Sequence, residues 1–304
     1  MSNILQQRLN MIGPWLKKRL GARAVKIGLD LNLGCPNNQQ GLRCIYCSPL
    51  AAGQGQGMKP LLSQLEHGSQ RIQPNKVMLA YFQAFSSTNA PADFLAPLFY
   101  QAATFPGIKG IIISTRPDCL QPAHWKLLAD LKQQSHLCWL ELGLQSSHDH
   151  TLRLIARGHD AATFARALKQ ANHLNIPVVA HAILGLPGET MEHTRQTARW
   201  LAAQGIWGVK LHSLMVLKGT RLAQMWQAGS FIPWSMQEWV AACADFISWL
   251  PPHITIHRLS ADPGHDICLA PDWVNHKAAA LNALGNYLRE NNIYQGSGLL
   301  KPQV

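Results

Sequence analysis

Acidic residues are scarce in this chain: 16 Asp plus Glu stand against 27 Lys plus Arg, a formal charge of +11 before any of the 14 histidines is protonated. Such a surplus suits a polyanionic partner such as nucleic acid, although net charge speaks to association and not to a named partner. The basic residues are nevertheless spread out, and the only tight run, Lys17, Lys18 and Arg19, reads equally well as a solvated helix face. Long apolar runs are missing too. Stretches such as Lys109 to Ser114 or Val178 to Leu186 are far too short to cross a bilayer, and the N-terminus lacks the charged-then-apolar layout of a secretion signal. A soluble, cytoplasmic protein with no membrane partner is expected. The seven cysteines are odd in number and scattered, which fits neither a disulfide scaffold nor an oxidising compartment. Metal binding or catalysis accounts for them better. Low-complexity sequence is confined to a small Gly/Gln loop, Gly53 to Gly57.

What is present is an alternation of short β-like runs and amphipathic stretches of helical length, over 304 residues with 47% hydrophobic content. That is enough to bury one sizeable core. Strands are expected near 25–33, 76–83, 109–114, 137–144, 177–184 and 207–214. Helices are expected near 60–73, 91–104, 121–135, 148–173, 190–204 and 218–228. Pro91 and Pro122 suit first helical turns. Six βα units joined by right-handed crossovers curl into a partial (β/α)6 barrel, with the strand C-termini, and hence the chemistry, at one face. Residues 1–24 read as a helical lead-in, 25–228 as the barrel, and 229–304 as a C-terminal extension covering it. That extension holds a Trp-rich helix (Trp234 to Leu250), a short β-like run (Ile254 to Leu259) and a final helix (Trp273 to Glu290).

The stretch LGCPNNQQGLRCIYCSP follows the first strand and sets Cys35, Cys44 and Cys47 in the spacing C-x8-C-x2-C. Three thiolates on one loop suit an iron–sulfur cubane, leaving one iron open to a small molecule. Structural zinc is the competing reading. It normally takes four closed ligands, and the loop has no fourth Cys or His, so a histidine from elsewhere in the fold would have to complete it. Cys138, Cys243 and Cys268 have no ligand spacing, and Cys119 reads as a loop thiol just past strand three.

A three-cysteine loop after the first strand of a βα-repeat protein, with Tyr46 before the last cysteine, resembles the radical S-adenosylmethionine (SAM) superfamily. The common spacing there is C-x3-C-x2-C, and the wider gap here is similar to that of the subgroup containing the Elongator catalytic subunit. Further segments resemble the bacterial YhcC/YtqA-like radical SAM proteins: YFQAFSST (81–88), STRPDCL (114–120), LELGLQS (140–146), RGHD (157–160), HAILGLPGET (181–190), GVKLHSLMVLKGT (208–220), IHRLSAD (256–262) and QGS (295–297). Together they span nearly the whole chain.

The resemblance implies a [4Fe-4S] cluster on Cys35, Cys44 and Cys47, SAM chelated at the open iron, and reductive cleavage to a 5′-deoxyadenosyl radical. It also implies an electron donor such as flavodoxin or ferredoxin. By the same resemblance Gln83 meets the SAM amino group, Ser114 and Gln145 reach its ribose, Arg157 pairs with its carboxylate, and His181 lies close to the ribose. Gly185 to Gly188 form a turn that lets backbone approach the adenine, and Glu141 sits deeper on strand four. Arg116, extended before Pro117, serves substrate phosphate or caps the barrel. Lys210 and His212 are substrate-site candidates. Together with the basic charge, the Elongator-like link implies RNA, specifically transfer RNA modified at its wobble uridine. The alternatives are a radical SAM enzyme acting on a protein or small metabolite, and a non-catalytic zinc-binding protein.

Overall fold

Apolar runs rich in Ile, Val and Leu form strands β1 (Arg23–Leu29), β2 (Lys76–Phe82), β3 (Ile108–Thr115), β4 (Cys138–Gln145), β5 (Val178–Leu184) and β6 (Gly208–Ser213) in a computed structural model of the chain. The structure describes residues 3–39, 41–48, 59–135, 137–261 and 266–300. The Gly53 to Gly57 loop and Asp262 lie outside the described residues. Strands buried on both faces need no polar alternation, and β3 to β5 are almost entirely buried.

Two short helices, α1 (Asn3–Arg8) and α2 (Ile12–Leu20), lead into β1. After the short α3 (Pro36–Gln39), the crossovers run through α4 (Leu61–Gln70), α5 (Ala92–Thr104) and α6 (Pro122–Gln134). Pro91 immediately precedes α5 and Pro122 opens α6, where a missing N–H costs nothing. The helix expected over 148–173 is two helices, α7 (Asp149–Leu154) and α8 (Ala161–His173). Ala156 and Gly158 adopt left-handed backbone between them, and Asp160 caps α8 by accepting from Thr163 N. The series continues with α9 (Met191–Ala203), the two-residue β7 (Val216–Leu217) and α10 (Arg221–Gln227).

The expected partial barrel is borne out, and its sheet has one strand more than the six βα units supply. The order is β1-β2-β3-β4-β5-β6-β8, parallel throughout, and β8 (Thr255–Arg258) comes from the C-terminal stretch. In this stretch α11 (Met236–Ser248), headed by the capping box of Ser235 and Glu238, packs on α9 and on α12 (Lys277–Glu290). A small antiparallel pair joins β7 to β9 (Cys268–Ala270).

The bottom of the barrel is apolar. Leu79, Tyr81, Ile112, Trp139 and Val179 point inward against Ile12 and Leu16 of α2, and Trp15 meets Trp207 edge to face at 5.2 Å. Met11 bridges Ile256, so the N-terminal segment closes this end onto β8. With the base sealed, the barrel opens toward the strand C-termini.

Candidate active site

The cysteine loop crosses the mouth of the barrel and is pinned by backbone. Ile45, almost fully buried, donates to Ile155 O at 3.1 Å and accepts from Leu222 N at 2.8 Å. Asn37 Nδ2 donates to Ala156 O (2.9 Å) and Arg157 O (3.0 Å) and lies 3.4 Å from Cys44 Sγ. The break between α7 and α8 is therefore the platform on which the cysteine loop rests. Gly158 is required there on two grounds: its φ is +80°, and a Cβ would lie 2.3 Å from Asn37 Oδ1.

Cys35, Cys44 and Cys47 line one cavity of about 380 Å³. Burial, reinforced by Cys44 and Cys35, pushes the Cys47 thiol up to about 11, so the sulfurs are near enough to repel one another as thiolates. A metal that takes the place of the protons relieves that repulsion. Three thiols around a shared space suit a cubane, which spreads its cysteine ligands over separate irons.

All five residues assigned to the cofactor on the strength of sequence resemblance line this same cavity: Gln83, Ser114, Gln145, Arg157 and His181. Gln83 follows β2 and is exposed, its N–H donating to Leu29 O at 3.3 Å. Gln145 ends β4 with φ +80°, a conformation rare for a non-glycine residue and common at ligand sites. Arg157 is buried, donates from Nη2 to Gly143 O at 2.7 Å, and has no partner for Nε among the described residues. Gly143 allows that approach, since a Cβ there would lie 2.5 Å from Arg157 Nη2. Arg116 is committed to the protein: Nε and Nη2 grip Asp118 at 3.0 and 2.6 Å, Nη1 donates to Arg157 O at 3.0 Å, and Cys35 Sγ is 3.8 Å away. Cys119 is buried and does not line the cavity.

Below this level is a polar layer that sequence reasoning largely missed. Glu141, fully buried, accepts at Oε2 from Lys210 Nζ (2.6 Å), Tyr81 OH (2.7 Å), His181 Nε2 (2.9 Å) and Ser114 Oγ (3.2 Å). Its Oε1 accepts from Lys26 Nζ at 3.0 Å. Burial alone would raise the carboxyl, but the Lys210 and Lys26 ammonium groups and the His181 hydrogen bond hold it well below the usual carboxylate range. Burial lowers His181 to about 4 and, despite Glu141, Lys210 to about 7. A neutral His181 that donates from Nε2 keeps Nδ1 as an acceptor. Lys26 was the least legible member, an isolated charge in an apolar strand. Only its pairing with Leu79 in the folded sheet shows that it faces inward.

Comparison with known proteins places this geometry in a family. The "Radical SAM superfamily" model matches residues 32–201, and the "Radical_SAM C-terminal domain" model matches 206–290. The chain is 35% identical to protein YhcC of Escherichia coli over 302 residues, 98% of this chain and 97% of that protein. It is 30% identical over 156 residues to the tRNA uridine(34) acetyltransferase of Dehalococcoides mccartyi, 50% of this chain and 33% of that one. The solved structure of archaeal Methanocaldococcus infernus Elp3 shares the fold with a TM-score of 0.67 at 15% identity, covering 90% of this chain and 64% of that one. No described helix is long and apolar enough to cross a membrane. With its three-cysteine loop at the mouth of a parallel half-barrel, the chain belongs to the radical SAM superfamily, whose members use a [4Fe-4S] cluster and SAM.

Proposed function

We propose that this radical SAM enzyme directs its chemistry at RNA, with the wobble uridine of transfer RNA as the modified nucleoside and a flavodoxin or ferredoxin as electron donor. The observation that carries the catalytic half is the meeting of Cys35, Cys44 and Cys47 with Gln145, Arg157 and His181 around one cavity. When bound, cluster and SAM supply one-electron cleavage of the sulfonium to a 5′-deoxyadenosyl radical. Cys35, Cys44 and Cys47 hold the cluster. Arg157, anchored through Nη2, has its Nε free to donate to the SAM carboxylate in a charge-assisted bond. His181 Nδ1 accepts from a ribose hydroxyl, Gln145 and Ser114 contribute to the same ribose, and Gln83 meets the amino group.

The RNA half rests on the +11 charge and on the half-chain likeness to a tRNA uridine(34) acetyltransferase. A base held in the duplex-like stack of an anticodon loop has to be extruded to reach the cavity, at a cost least for an unpaired nucleotide. The test compares modified nucleosides in transfer RNA from wild-type and deletion cells by mass spectrometry. Loss of one modified wobble uridine, restored by the intact gene but not by one encoding Cys44→Ala, is expected. An identical nucleoside profile would redirect the reading to a protein or metabolite substrate.

A further inference from the structure

Most of the cations around the cavity are already matched. Arg116 is gripped by Asp118, Arg157 is anchored on Gly143 O, and Lys26 and Lys210 share Glu141. Arg258 is the exception. It comes from β8, lines the same cavity, and its side chain makes no hydrogen bond or ion pair with the described residues. Its partner in register is Lys210, so two cations stand side by side on β6 and β8. Among the described residues Glu141 is the only carboxylate lining the cavity, and both its oxygens are occupied by other groups. A second polar atom is left over beside it. His212 Nε2 is buried without a partner among the described residues, on a ring packed at 5.2 Å against His181.

A half-buried guanidinium with no partner among the described residues shares the pocket with an orphaned imidazole nitrogen, and burying that nitrogen unpaired is costly. The planar fork of the arginine matches a two-oxygen group bidentately, and a neutral His212 in its Nε2–H tautomer adds one donor beside it. Lys210, depressed by burial and by the repulsion of Lys26 and Arg258, gains from any negative charge placed beside Arg258.

We infer that Arg258 and His212 form an oxyanion-recognition site in the barrel lumen that takes a carboxylate or phosphate group of the molecule attacked. The inference rests on the proposed reading only in that this cavity is where substrate meets SAM. Two sources share this chemistry: the carboxylate of a small second substrate and the phosphate of a nucleotide. Arg258 is a recognition residue here, separate from the groups assigned to SAM.

The test is calorimetric titration of the anaerobically reconstituted holoenzyme, saturated with SAM, with acetate and with inorganic phosphate at constant ionic strength. Saturable binding of at least one anion is expected, weakened tenfold or more by Arg258→Met and partly restored by Arg258→Lys, with SAM affinity within twofold of wild type. A preference for acetate assigns the site to a carboxylate substrate, and a preference for phosphate assigns it to a nucleotide. His212→Ala gives a second reading if Arg258→Met does not hold its cluster: anion affinity should fall severalfold. No saturable anion binding, or anion affinity unchanged in these variants, overturns the inference. So does loss of SAM affinity in Arg258→Met, which would hand the guanidinium to the cofactor. None of these outcomes depends on RNA being the substrate, which the nucleoside comparison tests separately.

Discussion

Glu141 is the residue on which the lumen is organised, because one carboxylate offsets the buried Lys210 and the half-buried Lys26 and orients a neutral histidine. Glu141→Gln keeps the volume but leaves Lys26 and Lys210 uncompensated. Breaking a buried pair in this way costs about 3–5 kcal/mol, and urea denaturation followed by tryptophan fluorescence should register a loss of that order. Lys210 gives a pH test with a definite sign. Its native value is held at about 7 by burial, whereas an unfolded lysine titrates near about 10.4. Between those values the unfolded chain holds a proton that the native chain has shed, so this residue makes stability rise with pH across that window. The difference in unfolding free energy between wild type and Lys210→Met should therefore grow from about pH 7 to about pH 10. A constant difference would mean the ammonium is not desolvated as described. At the cofactor, Arg157→Ala should leave iron content intact and weaken SAM binding about tenfold or more, the scale of one charge-assisted hydrogen bond. Equilibrium dialysis with SAM reads it directly, and unchanged affinity removes Arg157 from the site.

At the scale of elements, the platform beneath the cysteine loop is the feature most exposed to a small change. Gly158→Ala forces a side chain onto left-handed backbone and into Asn37 Oδ1, a strain of about 1–3 kcal/mol concentrated where Asn37 approaches Cys44. The variant should fold yet release iron faster to a chelator than wild type. Equal release rates would show that the cysteine loop does not depend on this contact. The six βα units were legible because each apolar run and its following helix are local signals. The break between α7 and α8 was not read, although Gly158 and the Asp160–Thr163 cap announce it, because helical periodicity on either side masks a six-residue interruption. The run at 254–259 was seen as β-like but not as a barrel strand, since pairing of β8 with β6 is set by tertiary contact rather than by its four residues. Arg258 escaped notice for the same reason: only the pairing turns it toward the lumen.

On the scale of the whole molecule, the three cysteines and the residues expected to contact SAM come from β1 to β5 and their loops, yet they surround one space. A parallel half-barrel produces that convergence, because every strand ends at the same face. The cluster, SAM and the fold class were readable from the order of short motifs. The charged layer beneath them was not, because the meeting of Lys26, Glu141 and Lys210 in one lumen depends on how the sheet curls. Anaerobic reconstitution with iron and sulfide, followed by dithionite and SAM, tests the central claim most directly. About four iron and four sulfide per chain are expected, with 5′-deoxyadenosine formed by wild type and neither cluster nor product in Cys44→Ala. A protein that retains zinc in place of the cluster, or that loads a cluster and cleaves no SAM, would contradict it.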